Sequence, residues 1–292
     1  MLGLPFPSTD IHALADWVEV SCIFSTGGRC SLGDLSRQLK QSSVLEDENL
    51  DSDSLEADVV NELLNRANAA SDSYPFTVDG SKVLLKSDFE DFLPYTFCLC
   101  LSYFGDNRRI GVRLFPRRLF EAISCLAAGS YLKGESVRFG SPRDTLPAGF
   151  DEAIGKLCLL IGEGGGLKER GFRKGQDDTL DVVAWRDSPD KRPGKLLLFG
   201  QCASGKNWKE KASELQPPDF CDTWLINRPI SIVKAFFVPC SVDSSDWALK
   251  SIRAGIIFDR CRISYWVKQS GQFPQRPQCL KWCRSLLRRR RN

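Results

Sequence analysis

The sequence predicts an α/β (α+β) protein, a mixed sheet flanked by helices and preceded by a mainly helical N-terminal domain. Three observations lead there. Between residues 177 and 211, two apolar runs, 180–185 and 195–203, are joined by a charged linker carrying the turn residues Pro189, Pro193 and Gly194, the pattern of an antiparallel hairpin. Two more apolar runs, 230–238 and 254–258, supply further strands, for a mixed sheet of at least four. The first seventy residues instead show apolar positions at helical spacing in three segments. The resulting boundaries are 1–145 for the helical accessory domain, 146–270 for the α/β domain and 271–292 for a basic, flexible C-terminal tail.

Residues 10–24 predict a helix with Asp10 as N-cap and Leu14, Trp17 and Val18 on one face, ended by Gly27 and Gly28. Ser31 caps a short helix over 32–40, with Leu32, Leu35 and Leu39 in register. The acidic stretch 42–54 reads as a solvated loop, after which Ser54 caps a third helix to residue 70 with Leu55, Val59 and Leu63 inward. The runs 76–78 and 82–85 flank Asp79-Gly80-Ser81, a hairpin turn. Three helices and a hairpin is the order of a winged-helix module. The third helix offers only Arg66 as a cation, so this module is expected to couple to a protein, or to pack on the second domain, rather than enter a DNA groove.

Residues 94–103 read as a buried strand. Arg108, Arg109, Arg113, Arg117 and Arg118 form a candidate phosphate patch or subunit contact, and 116–128 reads as a helix with Leu119, Ile123 and Leu126 inward. The clearest helix is 147–162, where Phe150, Ile154, Leu157, Cys158 and Ile161 make a stripe terminated by Gly162. A short helix over 208–215 follows the hairpin.

Polar groups interrupt both arms of that hairpin. Alternation places Asp181 with Val183 and Trp185 on one arm, and Gln201 with Leu197, Phe199 and Ala203 on the other, with Lys206 just past the strand end. An acid, an amide oxygen and a lysine at a hairpin edge suit a magnesium ion and a phosphate. Over roughly residues 149–263 these residues resemble the PD-(D/E)XK, or restriction-endonuclease-like, superfamily. The resemblance implies a restriction-endonuclease-like mixed sheet and a Mg²⁺ (or Mn²⁺) cofactor. Asp181 would be the metal-binding acid, Gln201 a variant second acid, and Lys206 a displaced lysine, because Ala203 stands at the motif's lysine position. It further implies an acid on the first core helix, for which Glu152 is the candidate and Asp151 the runner-up, while Asp177 and Asp178 are alternatives to Asp181. The implied activity is metal-dependent phosphodiester hydrolysis in nucleic acid, DNA foremost, in restriction or antiviral defence. Ala203 also supports an alternative, a nuclease-like subunit without catalysis that binds nucleic acid or assembles with a partner ATPase or helicase. A third reading is nucleotide binding. GQCASGKN, 200–207, approaches a phosphate loop, with Ile256-Ile257-Phe258-Asp259 as a Walker-B-like run, but Asn207 replaces the magnesium-binding hydroxyl.

Charge points the same way. The net charge of +3 conceals 17 acids against 6 bases in the first hundred residues, and ten bases with no acid after Asp259. The second half is therefore expected to meet a polyanion and the acidic first half a protein. Candidate nucleic-acid contacts are Lys168, Arg170, Arg173 and Lys174 in the glycine-rich segment before Asp181, Lys209 and Lys211 after the hairpin, and Arg260 and Arg262 on one strand face. A single histidine, His12, argues against Ser-His and Cys-His catalysis. Twelve scattered cysteines without a CxxC pair behave as reduced hydrophobes and argue against structural zinc. No apolar run reaches the ~18 residues of a membrane span, and the N-terminus lacks a signal's basic and apolar regions, so the expected location is cytoplasmic.

Overall fold

The computed structural model describes residues 9–41, 52–106, 115–169, 178–245 and 247–291. The acidic loop lies outside them from 42 to 51, as do Arg108, Arg109, Arg113, Arg170, Arg173, Lys174 and Asp177. The chain forms two units, one of Met1–Leu114 with Arg260–Tyr265 and Arg276–Asn292, the other of Phe115–Asp259 with Trp266–Gln275.

The first unit begins with α1 (Ile11–Phe24), whose first turn is capped by Asp10 accepting from the His12 N–H at 3.0 Å. β1 (Arg29–Ser31), α2 (Leu32–Gln41), α3 (Ser52–Ala70), β2 (Phe76–Asp79) and β3 (Lys82–Leu85) follow, and the strands form an antiparallel sheet in the order β1-β3-β2. The three helices and the β2–β3 hairpin follow in the order expected from the sequence, and β1 adds a third strand to the hairpin. On α3 the lone cation is withdrawn from solvent, because buried Arg66 meets Asp16 and Glu62 at 2.7 Å each. The exposed positions of α3 are acidic or neutral, among them Asp53, Asp58, Asn61, Asn65 and Asn68. The expected buried strand at 94–103 is instead a helix, α4 (Leu93–Phe104), with Pro94 in its first turn where a missing N–H costs nothing. An apolar run buried on every side carries no periodicity with which to choose between the two.

The second unit starts earlier than residue 146. α5 (Pro116–Leu132) and β4 (Glu135–Arg138) belong to it, followed by α6 (Phe150–Ile161), β5 (Val182–Arg186), β6 (Leu196–Cys202), α7 (Trp208–Lys211), α8 (Pro217–Trp224), β7 (Ser231–Phe237), α9 (Trp247–Ala254) and β8 (Ile256–Phe258). The sheet order is β4-β5-β6-β7-β8. The pairs β4–β5 and β5–β6 are antiparallel, whereas β6–β7 and β7–β8 are parallel. Val183, Trp185, Leu197 and Phe199 pack with Ile154, Leu157 and Ile161 of α6 and Phe220 and Trp224 of α8. On the same strand face farther along, Ala203, Phe236 and Ile257 pack with Trp208, Ala212 and Ala254. The opposite face receives α5, whose Tyr131 ring meets Phe258 edge-on at 5.2 Å. Gly200 on that face has no room for a side chain, since a Cβ would enter the Phe237 ring.

The chain then returns to the first unit through α10 (Arg260–Gln269) and α11 (Arg276–Arg291). Residues 260–263 are therefore helical and not the strand expected from their alternation. The expected basic tail is α11, held by Cys279, Trp282, Cys283 and Leu286, which are buried at helical spacing, with Trp282 against Phe97 of α4 at 5.1 Å. Arg284 and Arg288 lie on its exposed side. Among the described residues no helix is long and apolar enough to cross a membrane.

Candidate active site

Two carboxylates converge where β4 leaves the sheet. Asp181 immediately precedes β5, and its backbone is tied on both sides: its N–H donates to Gly200 O at 2.9 Å, and its carbonyl accepts from Phe139 N at 2.7 Å and Gly140 N at 3.1 Å. Its Oδ2 accepts from the Cys202 N–H at 2.7 Å, which fixes the carboxylate against the end of β6. Glu121 arrives from α5. A methyl placed on Gly140 would stand 2.8 Å from Glu121 Oε2 and 2.9 Å from Asp181 Oδ1, so both acids face the bare Cα of that glycine. The Cys202 thiol registers both: burial first, then Asp181 and Glu121, pushes it well above the ordinary thiol range, so it stays protonated and is no nucleophile.

Arg138 completes the corner. It is buried on β4, and its Nη1 donates to Glu121 Oε2 and to Gly140 O, each at 2.8 Å. Its Nη2 donates to Asp144 Oδ2 at 2.9 Å and to Pro142 O. One guanidinium thus fixes the helix acid and the 140–144 loop together. β4 pairs Arg138 with Val182, which places the arginine on the α5 side of the sheet.

The residues that the hairpin motif suggests do not all join this corner. Gln201 shares the strand face of Leu197 and Phe199, away from α5. Its Nε2 donates to Glu214 Oε2 at 2.7 Å and its Oε1 accepts from Leu215 N at 3.3 Å. That amide fastens the segment after α7 to the sheet, whereas the carboxylate that shares the Gly140 corner with Asp181 is Glu121. Glu152 is exposed on α6 and its carboxylate folds back against Gly149 at the start of its own helix; Asp151 is likewise an exposed first-turn residue. Asp178 accepts from the Trp224 indole at 2.6 Å. Lys206 is exposed in the turn between β6 and α7, and Lys209 and Lys211 follow on α7. Lys168 is exposed, with its Nζ donating to Asp222 O at 3.3 Å. Arg262 is exposed on α10, whereas Arg260 is fully buried and paired with Asp16, which removes it from any nucleic-acid surface. The phosphate-loop pattern at 200–207 meets an unsuitable frame, because β6 is antiparallel to β5 and the following helix is four residues long.

Glu121 and Arg138 escape a sequence reading because β4, Glu-Ser-Val-Arg, is short and polar and does not announce a strand. The helix before it is then not recognised as the first core helix. The available signal is on α5, where Glu121 lies one turn before Ser124 and Cys125, both buried, so the face bearing the acid is turned inward.

Among the described residues no group of three His, Cys, Asp or Glu side chains is placed to hold a metal ion. Two carboxylates nevertheless suit Mg²⁺, which commonly takes one or two acids and completes its octahedron with water and substrate phosphate. No family model, curated protein or solved structure matches the chain.

Proposed function

We propose that the second unit is a divalent-metal-dependent nuclease of the PD-(D/E)XK type, with DNA as its substrate. The observation that carries this reading is the meeting of Glu121 and Asp181 at Gly140. Its setting adds support: a helix before the sheet, three antiparallel strands and then a parallel one across a helical connection. Asp181 and Glu121 are the residues that would hold Mg²⁺ or Mn²⁺, which when bound supplies a polarised phosphoryl oxygen and a bound water of lowered pKa. The rest falls to the chain itself. The Cys202 N–H holds Asp181 and the Arg138 guanidinium holds Glu121, so neither acid has to reorganise when substrate arrives. Lys206, in the turn at the end of β6, is the cation assigned to charge on the phosphate in place of the motif lysine. Gln201 is assigned to packing.

The engagement of Glu121 by Arg138 and of Gln201 by Glu214 also favours a second reading, a nuclease-like unit that binds nucleic acid without cleaving it. One assay separates the two. Supercoiled, linear and single-stranded DNA, and RNA, are incubated with the full chain and Mg²⁺ or Mn²⁺, alongside Asp181→Asn, which keeps an oxygen for the Cys202 N–H but loses the charge. Metal-dependent cleavage of DNA that falls to background in Asp181→Asn is the expected result. Equal cleavage in both proteins overturns the assignment of Asp181, and binding with no cleavage by the wild type under any condition establishes the second reading.

A further inference from the structure

A groove of about 190 Å³ lies between α7 and α9 in the second unit, lined by Trp208, Lys209, Ala212, Leu249, Lys250 and Arg253. Its floor is apolar: Trp208 is buried and packs towards Phe236, and Ala212 is buried beside it. Leu249 stands on the rim at 64% exposure, and Ile252 on the same helix is 81% exposed, large apolar groups that this unit leaves in water. Among the described residues, every ionisable side chain lining the groove is a cation, one from α7 and two from α9. Lys250 and Arg253 stand three residues apart on α9 and so share one side of it. Lys234 adds a further positive charge at the end of that helix, where its Nζ donates to Arg253 O at 2.7 Å.

We propose that this groove holds a single-stranded nucleic-acid segment, its phosphates on Lys209, Lys250 and Arg253 and a base against Leu249 and the apolar floor. The proposal rests on the reading of the second unit as one that acts on nucleic acid, and assigns where the strand runs beyond the reacting bond. Two features select this occupant. A cationic groove with an apolar floor suits an anionic backbone that also presents flat apolar faces, and those faces are available to a side chain only when the strand is unpaired. The groove is also near the site along the chain, because β6 ends at Cys202, whose N–H holds Asp181, and Trp208 follows six residues later.

The test is fluorescence anisotropy of a labelled oligo(dT) 20-mer with the full-length Asp181→Asn protein in EDTA, so that hydrolysis plays no part. Replacing Lys209 and Lys250 together by Gln is expected to weaken binding about tenfold and to flatten the log-affinity against log-salt slope by about 1.4, at ~0.7 for each lost contact to a single strand. Leu249→Ser is expected to weaken binding without changing the slope. Unchanged affinity and slope in the Lys209→Gln/Lys250→Gln protein, or tighter binding of duplex than of oligo(dT), overturns the proposal. So does a poly-glutamate peptide that displaces the oligonucleotide at equal charge concentration, because the groove is then an acidic-peptide site. Cleavage by a wild-type enzyme whose groove variants bind normally would leave the hydrolysis reading standing and remove only this one. Groove-dependent binding without cleavage would do the reverse.

Discussion

Glu19→Ala is expected to destabilise the first unit by about 3–5 kcal/mol, the range for breaking a buried charge cluster by removing one member. Glu19 has no solvent exposure, and its Oε1 accepts from the Tyr74 hydroxyl at 2.9 Å and the Tyr95 hydroxyl at 2.8 Å. Its Oε2 faces Arg66 Nη1 at 3.1 Å. Asp16 binds both Arg66 and Arg260, and the Arg260 guanidinium also lies over the Tyr95 ring at 5.1 Å. Without Glu19 two arginines share too little negative charge, and two phenols lose their acceptor in the dry interior. Thermal unfolding is the measurement, with a fall of roughly ten degrees or more expected; a melting temperature within ~2 °C of wild type would show that Glu19 contributes little.

The same cluster makes stability depend on acid. Burial raises the Asp16 carboxyl, but Arg260 and Arg66 overcome this and hold it below its ordinary value of 3.8. Burial likewise raises Glu62, while His12 and Arg66 bring it down from 4.5 to about 2. Both folded values lie below the unfolded ones, so the contribution is complete above the unfolded values and is lost as pH falls from about 4.5 towards 2. Melting curves across that interval should fall more steeply for wild type than for Glu62→Gln.

A paired substitution in the second unit should give opposite phenotypes. Glu121→Gln keeps an oxygen for Arg138 but removes the charge, and is expected to lower metal-dependent cleavage by roughly 10²–10³-fold, several kcal/mol of transition-state stabilisation, with little change in melting. Gln201→Ala strands the buried Leu215 N–H and releases Glu214, at a cost of about 1–3 kcal/mol in stability, while cleavage per folded molecule stays at the wild-type level. Rates normalised to the folded fraction decide between them. Background cleavage by Gln201→Ala with an unchanged melting temperature would return the second ligand to the hairpin.

These contrasts also show what the amino-acid order discloses. The hairpin of β5 and β6 is legible from apolar runs with turn residues between them, and Asp181 stands out because a strand start seldom carries an unexplained acid. The stripe of α6 and the capped α1 are equally plain. Three elements are not, each for its own reason. Glu135–Arg138 is polar at three of its four positions and gains its strand geometry from pairing with β5, so nothing local marks it. The 94–103 run is apolar but for Thr96 and Ser102, and burial of every residue from 95 to 101 leaves period 2 and period 3.6 indistinguishable. Arg260 and Arg262 alternate as strand residues would, but β8 stops at Phe258 and the backbone turns into a helix. The direction of Gln201 follows from strand parity, yet parity alone does not say which face the carboxylates occupy. That is decided by α5, whose place in the sheet layer depends on β4.

The division of the chain has a consequence for its biosynthesis. The first unit is closed by Arg260–Tyr265 and Arg276–Asn292, so the residues that cover part of α4 are translated long after it. About 170 residues separate the end of α4 from the start of α11, on the order of ten seconds or more of elongation. Throughout that interval Phe97 and its neighbours lack Trp282, Cys283 and Leu286. A nascent first unit is therefore an incomplete core awaiting α11, and a stop codon ahead of that helix would remove the closure altogether. Chains ended before Arg276 should be cut by protease within α4 at enzyme levels that leave the full chain intact, and equal resistance would show that α4 is secured without α11.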